Sequence, residues 1–136
     1  SKAVVLAAGK TITGVYDTVS LQSADFAPAV TASGTHYIVT AADKVATLPA
    51  TAAGVRYRFT ITSAGLSAAS TGLSIAPAAA DKIMGSILGV VITSQDNKAI
   101  INTGATDAEG DYIEVVGDGV DGWFIVGGAG IWARQT

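Results

Sequence analysis

Hydrophobic and polar positions alternate along much of this 136-residue chain. The pattern is clearest in residues 55–62 (VRYRFTIT), where Tyr57, Phe59 and Ile61 fall on one face and arginine and threonine fall on the other. Successive side chains of a β-strand point to opposite faces of the sheet. The segment is therefore predicted to be a half-buried strand.

Five further runs, rich in β-branched and aromatic residues and bounded by Gly, Asp or Asn, also predict strands. They are His36–Thr40, Ile87–Thr93, Tyr112–Val116, Trp123–Val126 and Ile131–Ala133. Helix signals are weak in comparison. The spacing of the strands is typical of a sandwich or barrel, so the expected fold is all-β, an antiparallel β-sandwich or jelly-roll-like domain.

The first 34 residues differ from the rest, because they mix short β-branched pieces with small polar residues and few large side chains. We expect residues 1–34 to form an extended N-terminal arm and residues 35–136 to form the body, which holds most of the aromatic residues. The core candidates of the body are Tyr57, Phe59, Ile61, Ile113, Val115, Trp123, Ile125 and Trp132.

The arm carries β-branched segments that can add a strand to an exposed sheet edge. Its candidate contact residues are Val4, Val5, Leu6, Ile12, Val15 and Tyr16. Two interpretations stay open: the arm binds another subunit or protein, or it completes the sheet of its own chain.

Composition and charge remove several function classes. The chain has no cysteine, which excludes disulfides, zinc-thiolate sites and cysteine nucleophiles. Eight basic residues stand against eleven acidic ones, so there is no basic surface for nucleic acid. The uncharged stretch 59–80 is broken by Ser, Thr, Gly and Pro77, unlike a membrane helix. We expect neither nucleic acid nor a membrane as a partner.

Motifs that carry chemistry are weak. The letters of Gly117–Gly122 fit a dinucleotide-binding loop, but a strand follows instead of a helix, so the Asp-Gly pairs predict a hairpin turn. His36 is the only histidine, and a serine hydrolase would have to recruit it from a strand. We therefore expect no enzymatic activity and no cofactor.

Five acidic residues near the C-terminus do not follow the spacing of a calcium-binding loop, and Asp in Gly-rich turns usually bonds to the local backbone. They are Asp107, Glu109, Asp111, Asp118 and Asp121. No metal site is expected from them.

Arg56 and Arg58 lie two residues apart and therefore on the same face of the predicted strand. They either face solvent or form ion pairs with carboxylates of a neighbouring subunit, since guanidinium groups suit interfaces. Both interpretations stay open.

Several short segments follow one another in a characteristic order between about residues 45 and 134. The series is Thr47–Phe59, Pro77 with Ala80-Asp81-Lys82-Ile83, Ile101-Asn102-Thr103, Gly110-Asp111-Tyr112, Gly117-Asp118-Gly119, Gly122-Trp123 and Gly130-Ile131-Trp132-Ala133. It resembles a β-rich domain of the head decoration (capsid cement) proteins of tailed bacteriophages.

The resemblance implies a non-enzymatic virion protein on the outer surface of the capsid. Its implied partners are the major capsid protein and copies of itself, as a homotrimer that binds and stabilises the head. The competing hypothesis is a receptor- or carbohydrate-binding tip of a phage fibre, in which an exposed Trp123 or Trp132 stacks on sugar rings. A small hydrolase that depends on His36 is a third.

Overall fold

The computed structural model describes Ala8, residues 18–68 and residues 71–136. The arm candidates Val4, Val5, Leu6, Ile12, Val15 and Tyr16 lie outside these residues. The described strands are β1 (Thr18–Gln22), β2 (Thr35–Val39), β3 (Val45–Thr47), β4 (Arg56–Ile61), β5 (Ser74–Ala76), β6 (Lys82–Ile87), β7 (Val90–Ile92), β8 (Ile100–Asn102), β9 (Tyr112–Gly117), β10 (Gly122–Ala129) and β11 (Trp132–Arg134). Short 3-10 helices cover Val30–Ala32, Ser63–Gly65 and Gly104–Thr106.

The strands form two sheets, which confirms the all-β prediction. The larger sheet has seven strands in the order β1-β2-β4-β9-β10-β6-β7, and the smaller has four in the order β11-β8-β5-β3. Buried side chains from both sheets belong to one hydrophobic core. Within the described residues, no helix has the length and apolar character needed to cross a membrane.

The prediction of antiparallel sheets is wrong, because both sheets are mixed. The pairs β1/β2, β2/β4, β6/β10 and β3/β5 are parallel. The pairs β4/β9, β9/β10, β6/β7, β5/β8 and β8/β11 are antiparallel.

The path of the chain explains the parallel pairs. Parallel neighbours need a crossover between them. Here β3 of the smaller sheet lies between β2 and β4 in sequence, so the chain leaves the larger sheet and re-enters it in the same direction. The connection from β1 to β2 also visits the smaller sheet, where the Phe26 amide donates to the Val45 carbonyl at 3.0 Å.

The predicted boundary between arm and body at residue 34 is also wrong. Strand β1 pairs with β2 along its whole length, from Thr18 beside Thr35 to Gln22 beside Val39. The Phe26 ring packs 5.0 Å from the ring of Tyr37, measured between centroids. Residues 18–34 therefore belong to the body.

The core is built around an aromatic cluster on the inner face of the larger sheet. Tyr57 and Trp123 are fully buried, with ring centroids 5.6 Å apart. Phe59, on the same strand as Tyr57, stacks on Tyr37 at 5.6 Å. Because such rings bury large apolar areas, this cluster supplies much of the stabilisation of the fold.

Seven of the eight core candidates are buried: Tyr57, Phe59, Ile61, Ile113, Val115, Trp123 and Trp132. Ile125 is only partly buried, although it packs against the core. It lies next to a register shift between Ile125 and Gly127, where β10 bulges relative to β9.

Two turn predictions have different outcomes. Residues Gly117–Gly122 connect β9 to β10 as an antiparallel hairpin, which confirms the predicted turn. The single strand predicted for Ile87–Thr93 is wrong, because the segment folds back at Leu88 and Gly89 and supplies the end of β6 and all of β7.

Candidate interaction surfaces

The turn between β6 and β7 has an unusual composition. Ile87 pairs with Val90, so only Leu88 and Gly89 connect the two strands. Their φ angles are +50° and +82°, and two-residue hairpin loops with positive φ at both central positions are type I′ turns. Such turns favour Asn-Gly or Asp-Gly, so glycine suits its position and leucine does not.

The backbone of Leu88 is strained, and burial of its side chain does not offset that strain. Asp43, Leu88 and Asn97 are the described non-glycine residues with positive φ, and Asp and Asn tolerate this conformation best. For a leucine the left-handed conformation costs about 1–2 kcal/mol. The Leu88 side chain nevertheless remains 75% exposed. A strained, exposed aliphatic side chain marks a candidate contact point.

Leu88 belongs to an exposed aliphatic surface, which we call the apolar tip. It consists of Leu88, Val90, Val91 and Ile131. Val90 and Val91 are adjacent on β7, so they point to opposite faces of the sheet, yet both are exposed. Strand β7 is also the last strand of its sheet, so its outer backbone edge pairs with no strand among the described residues.

A groove of about 160 Å³ runs through the apolar tip. Its lining consists of Ile87, Leu88, Val90, Gly130, Ile131 and Trp132. Trp132 is 5% exposed and is fixed by its indole N–H, which donates to the Ala129 carbonyl at 2.9 Å. The groove is thus shaped by ordered side chains and accepts apolar groups.

The opposite edge of the larger sheet is apolar as well. On β1, Val19 and Leu21 are 60% and 68% exposed. They lie beside His36 and Ile38 of β2 on the outer face of the sheet. The sheet therefore presents aliphatic side chains to solvent at both of its edges.

Polar side chains occupy the middle of the same outer face. Arg58 donates to the Glu114 carboxylate at 3.0 Å, and its guanidinium lies 4.1 Å from the centroid of the Tyr112 ring. This contact is neither of the two alternatives left open for Arg58, because the ion pair is made with Glu114 of the same chain, its cross-strand neighbour. The neighbour of Arg56 is Val116, and no ion pair of Arg56 occurs among the described residues.

Replacing Arg58 with Ala is expected to lower the free energy of unfolding by about 1 kcal/mol, because a partly exposed ion pair and a cation–π contact are each modest. The matched control is Arg56→Ala, on the same strand face but without an ion pair in the described structure, which should change stability by less than about 0.5 kcal/mol. Urea denaturation measures both. Equal losses for the two variants would contradict the assigned roles.

His36 lies beside this group, with its Nε2 2.7 Å from the Thr60 hydroxyl. Burial lowers the pKa of His36 below 6.5, the nearby charge of Arg58 lowers it further, and Glu114 acts in the opposite direction. The folded protein therefore favours the neutral ring. The side chain is a strand-face residue in hydrogen-bond contact with Thr60, a diagonal neighbour on β4.

The lowered pKa predicts a pH dependence of stability. As the pH falls through 6.5, the unfolded chain takes up a proton on His36 that the folded chain resists, so stability decreases until the folded pKa is passed. We expect His36→Gln to remove this component between about pH 7.5 and 5.5, where carboxylates stay ionised. Melting temperatures of both proteins across this range test it, and identical pH profiles would contradict it.

Two of the five acidic residues, Asp118 and Asp111, bond to the local backbone, while Asp107 accepts from the distant Ser67 amide. The Asp118 carboxylate accepts hydrogen bonds from the amides of Val120, Asp121 and Gly122 within the β9–β10 turn, and the bonds, that from Gly122 first, lower its pKa. Asp111 accepts from the Ala108 amide at 3.0 Å. Among the described residues, no group of three or more His, Asp or Glu side chains is arranged to hold a metal ion.

The aromatic residues proposed to stack on sugars are not available for that role. Trp123 is fully buried and Trp132 is 5% exposed, as expected of core candidates, so neither is the exposed binding residue that the competing fibre-tip hypothesis needs. Trp123 packs against Tyr57 in the core, and Trp132 lies beneath the groove. The aromatic residue that β10 does expose is Phe124, at 42%.

Sequence reasoning missed the apolar tip. The signal is a Leu-Gly pair between Ile87 and the β-branched run Val90–Ile92. A Gly at the second position of a two-residue hairpin is a turn signal, but leucine at the first position is not, so the pattern of Ile87–Thr93 predicts one continuous strand.

Comparisons of the chain with protein-family models, with curated proteins and with solved structures found no match.

Proposed function

We propose that this chain is a decoration protein of a tailed-phage head, a non-enzymatic virion protein that binds the major capsid protein on the outer capsid surface as a homotrimer and stabilises the shell. The observation that carries the proposal is the apolar tip. Together with Val19 and Leu21 at the other edge, it gives a well-packed body exposed aliphatic side chains suited to contacts with other proteins.

A repeating lattice suits such modest contacts. Each fully buried aliphatic side chain contributes about 1.5–3 kcal/mol, so a single small surface binds weakly after the entropy of association is subtracted. An oligomer that engages several lattice sites at once multiplies these contributions without new contacts. Strong binding to a symmetric shell therefore requires no specific chemistry in the individual subunit.

The body is proposed to be a β-sandwich that follows an N-terminal arm. Two sheets with one shared core support the sandwich. Parallel pairs in both sheets argue against the antiparallel strand order of a jelly roll. The arm is proposed to be shorter than residues 1–34, since β1 begins at Thr18.

Heads that lack the protein provide the test of the stabilising role. Added protein is expected to raise the temperature at which such heads release their DNA, because a ligand that binds the intact shell stabilises it. Heads already carrying the protein serve as the control and should not respond. No change in either sample would contradict the proposal, and glycan binding by the same protein would then support the fibre-tip alternative.

A further inference from the structure

We propose that the N-terminal segment of one copy adds a β-strand to the β7 edge of the next copy and covers its apolar tip. Copies would thus join head to tail and close into a ring. This inference rests on the oligomer in the proposed function but not on its binding to a capsid.

The receiving surface has what an added strand requires. The outer edge of β7 has no partner strand in the described structure, so its backbone groups are open to an extended segment. Val90 and Val91 expose aliphatic side chains on both faces of that edge, and the groove above Trp132 provides a pocket beside it. The lining of this groove contains no charged residue.

The sequence supplies a matching segment. Residues 3–8 read AVVLAA, an uncharged aliphatic run with Lys2 and Lys10 on either side. The 17 residues that precede β1 hold these two lysines and one acidic residue, Asp17, whereas the other 119 hold six basic and ten acidic residues. The two parts therefore carry charges of opposite sign. Opposite net charges favour contact between an arm and a body, whether of the same copy or of another.

The extended length of the arm reaches either edge of the sheet, and its route favours a neighbouring copy. Strand β1 begins at Thr18, at the edge opposite β7, and strands about 4.8 Å apart place the two edges roughly 29 Å from each other. Leu6 is twelve residues before Thr18, an extended reach of about 40 Å. An arm bound to its own tip would have to cross the outer face over Arg58 and Glu114.

A head-to-tail arrangement avoids that crossing. When the β1 edge of one copy faces the β7 edge of the next, the arm leaves directly beside its binding edge. The same contact repeated about a rotation axis closes into a ring and leaves no free edge. In this arrangement the strained turn at Leu88 positions an aliphatic side chain where the incoming segment packs.

Two single substitutions separate this role from a structural one. Leu88→Asn places a residue favoured in type I′ turns at the strained position, so the melting temperature should stay the same or rise while the oligomer dissociates at least about tenfold more readily. Val120→Asn is the matched control, since Val120 is 81% exposed in the β9–β10 turn, and it should leave assembly unchanged. Sedimentation velocity measures both. An intact Leu88→Asn oligomer would overturn the proposal.

Mixing two defective variants tests the exchange itself. Val5→Asp should abolish ring formation from the arm side, as Leu88→Asn does from the tip side. In a mixture, the normal arm of the Leu88→Asn copy can still bind the normal tip of the Val5→Asp copy, so a one-to-one dimer is expected. Failure to form this dimer would mean that arms bind their own chain or another surface, and would overturn the proposal.

These experiments contain no phage heads, so a negative result on arm exchange can be distinguished from a negative result on the proposed function. A protein that binds and stabilises heads but shows no complementation is a decoration protein without arm exchange. A protein that complements but does not bind heads retains the arm exchange and loses the proposed function.

Discussion

Replacing Trp123 with Ala is expected to lower the free energy of unfolding by about 3–5 kcal/mol. Trp123 lies on β10 in the interior of the larger sheet, is fully buried, and packs on Tyr57. Removing it leaves a cavity that neighbouring rings cannot fill without moving. Since a small domain has only about 5–15 kcal/mol of stability, much of the variant would unfold near its working temperature.

The next residue on the same strand provides the control for this experiment. Phe124 points to the outer face and is 42% exposed, so Phe124→Ala should cost less than about 1.5 kcal/mol. Urea denaturation followed by circular dichroism compares the two variants without relying on the fluorescence of the deleted tryptophan. If Trp123→Ala were no more destabilising than Phe124→Ala, the assignment of the core would be wrong.

Replacing Gly122 with Ala should be almost as damaging, for a different reason. Gly122 begins β10 beside Lys82 of the parallel strand β6 and has a φ of +149°. A Cβ there would overlap the carbonyl oxygen of Lys82 and lie 2.5 Å from its amide nitrogen. Because backbone cannot rotate away as a side chain can, strain and overpacking together should cost about 3 kcal/mol.

Gly127 is the matched control on the same strand. A Cβ there would meet the Glu114 side chain at an ordinary 3.6 Å, and its φ is not positive. Gly127→Ala is therefore expected to leave stability unchanged or raise it by up to about 1 kcal/mol. Thermal unfolding measures the stability of the two variants. Equal losses of stability would contradict the described pairing of β10 with β6.

The Gly122 variant also bears on assembly. The hairpin of β6 and β7, which carries the apolar tip, joins the rest of the larger sheet through the pairing of Gly122–Phe124 with Lys82–Met84. Loss of this pairing should disorder the tip together with the sheet. Gly122→Ala would then lose stability and oligomer together, whereas Leu88→Asn should lose the oligomer alone.

Alternation along the chain predicted the buried faces of the central strands well. Tyr57, Phe59 and Ile61 are buried as their period-two spacing indicates, and Ile113 and Val115 follow the same rule. A one-dimensional pattern, however, carries no information on strand direction. The parallel pairs depend on visits to the second sheet, which no local spacing records.

The sequence places β1 in the predicted arm, because its hydrophobic and polar positions are inverted relative to those of a strand that packs on a core. Ser20, beside the buried Tyr37, faces inward, while Val19 and Leu21 face solvent. Hydrophobic alternation alone would place the aliphatic residues inside. An inverted pattern of this kind is what a sheet edge would show if it made a further protein contact, as the proposed oligomer requires.

The candidate contact surface was only partly accessible from sequence. Arg58 and Glu114 are 56 residues apart, so their pairing depends on β4 and β9 being neighbours, and the solvated or inter-subunit alternatives could not be resolved locally. The apolar tip depends on one unfavourable residue, Leu88, in a turn that sequence preferences assign to asparagine. Where function overrides local preference, prediction from local preference fails.

The number of copies that bind one head tests the proposed function most directly. Purified protein is titrated onto expanded phage heads that lack it, and bound copies per head are measured after sedimentation. A head decoration protein must saturate at a fixed number that is a multiple of three and matches the repeated sites of the lattice. Binding that does not saturate, or no binding at all, would contradict a role on the capsid surface.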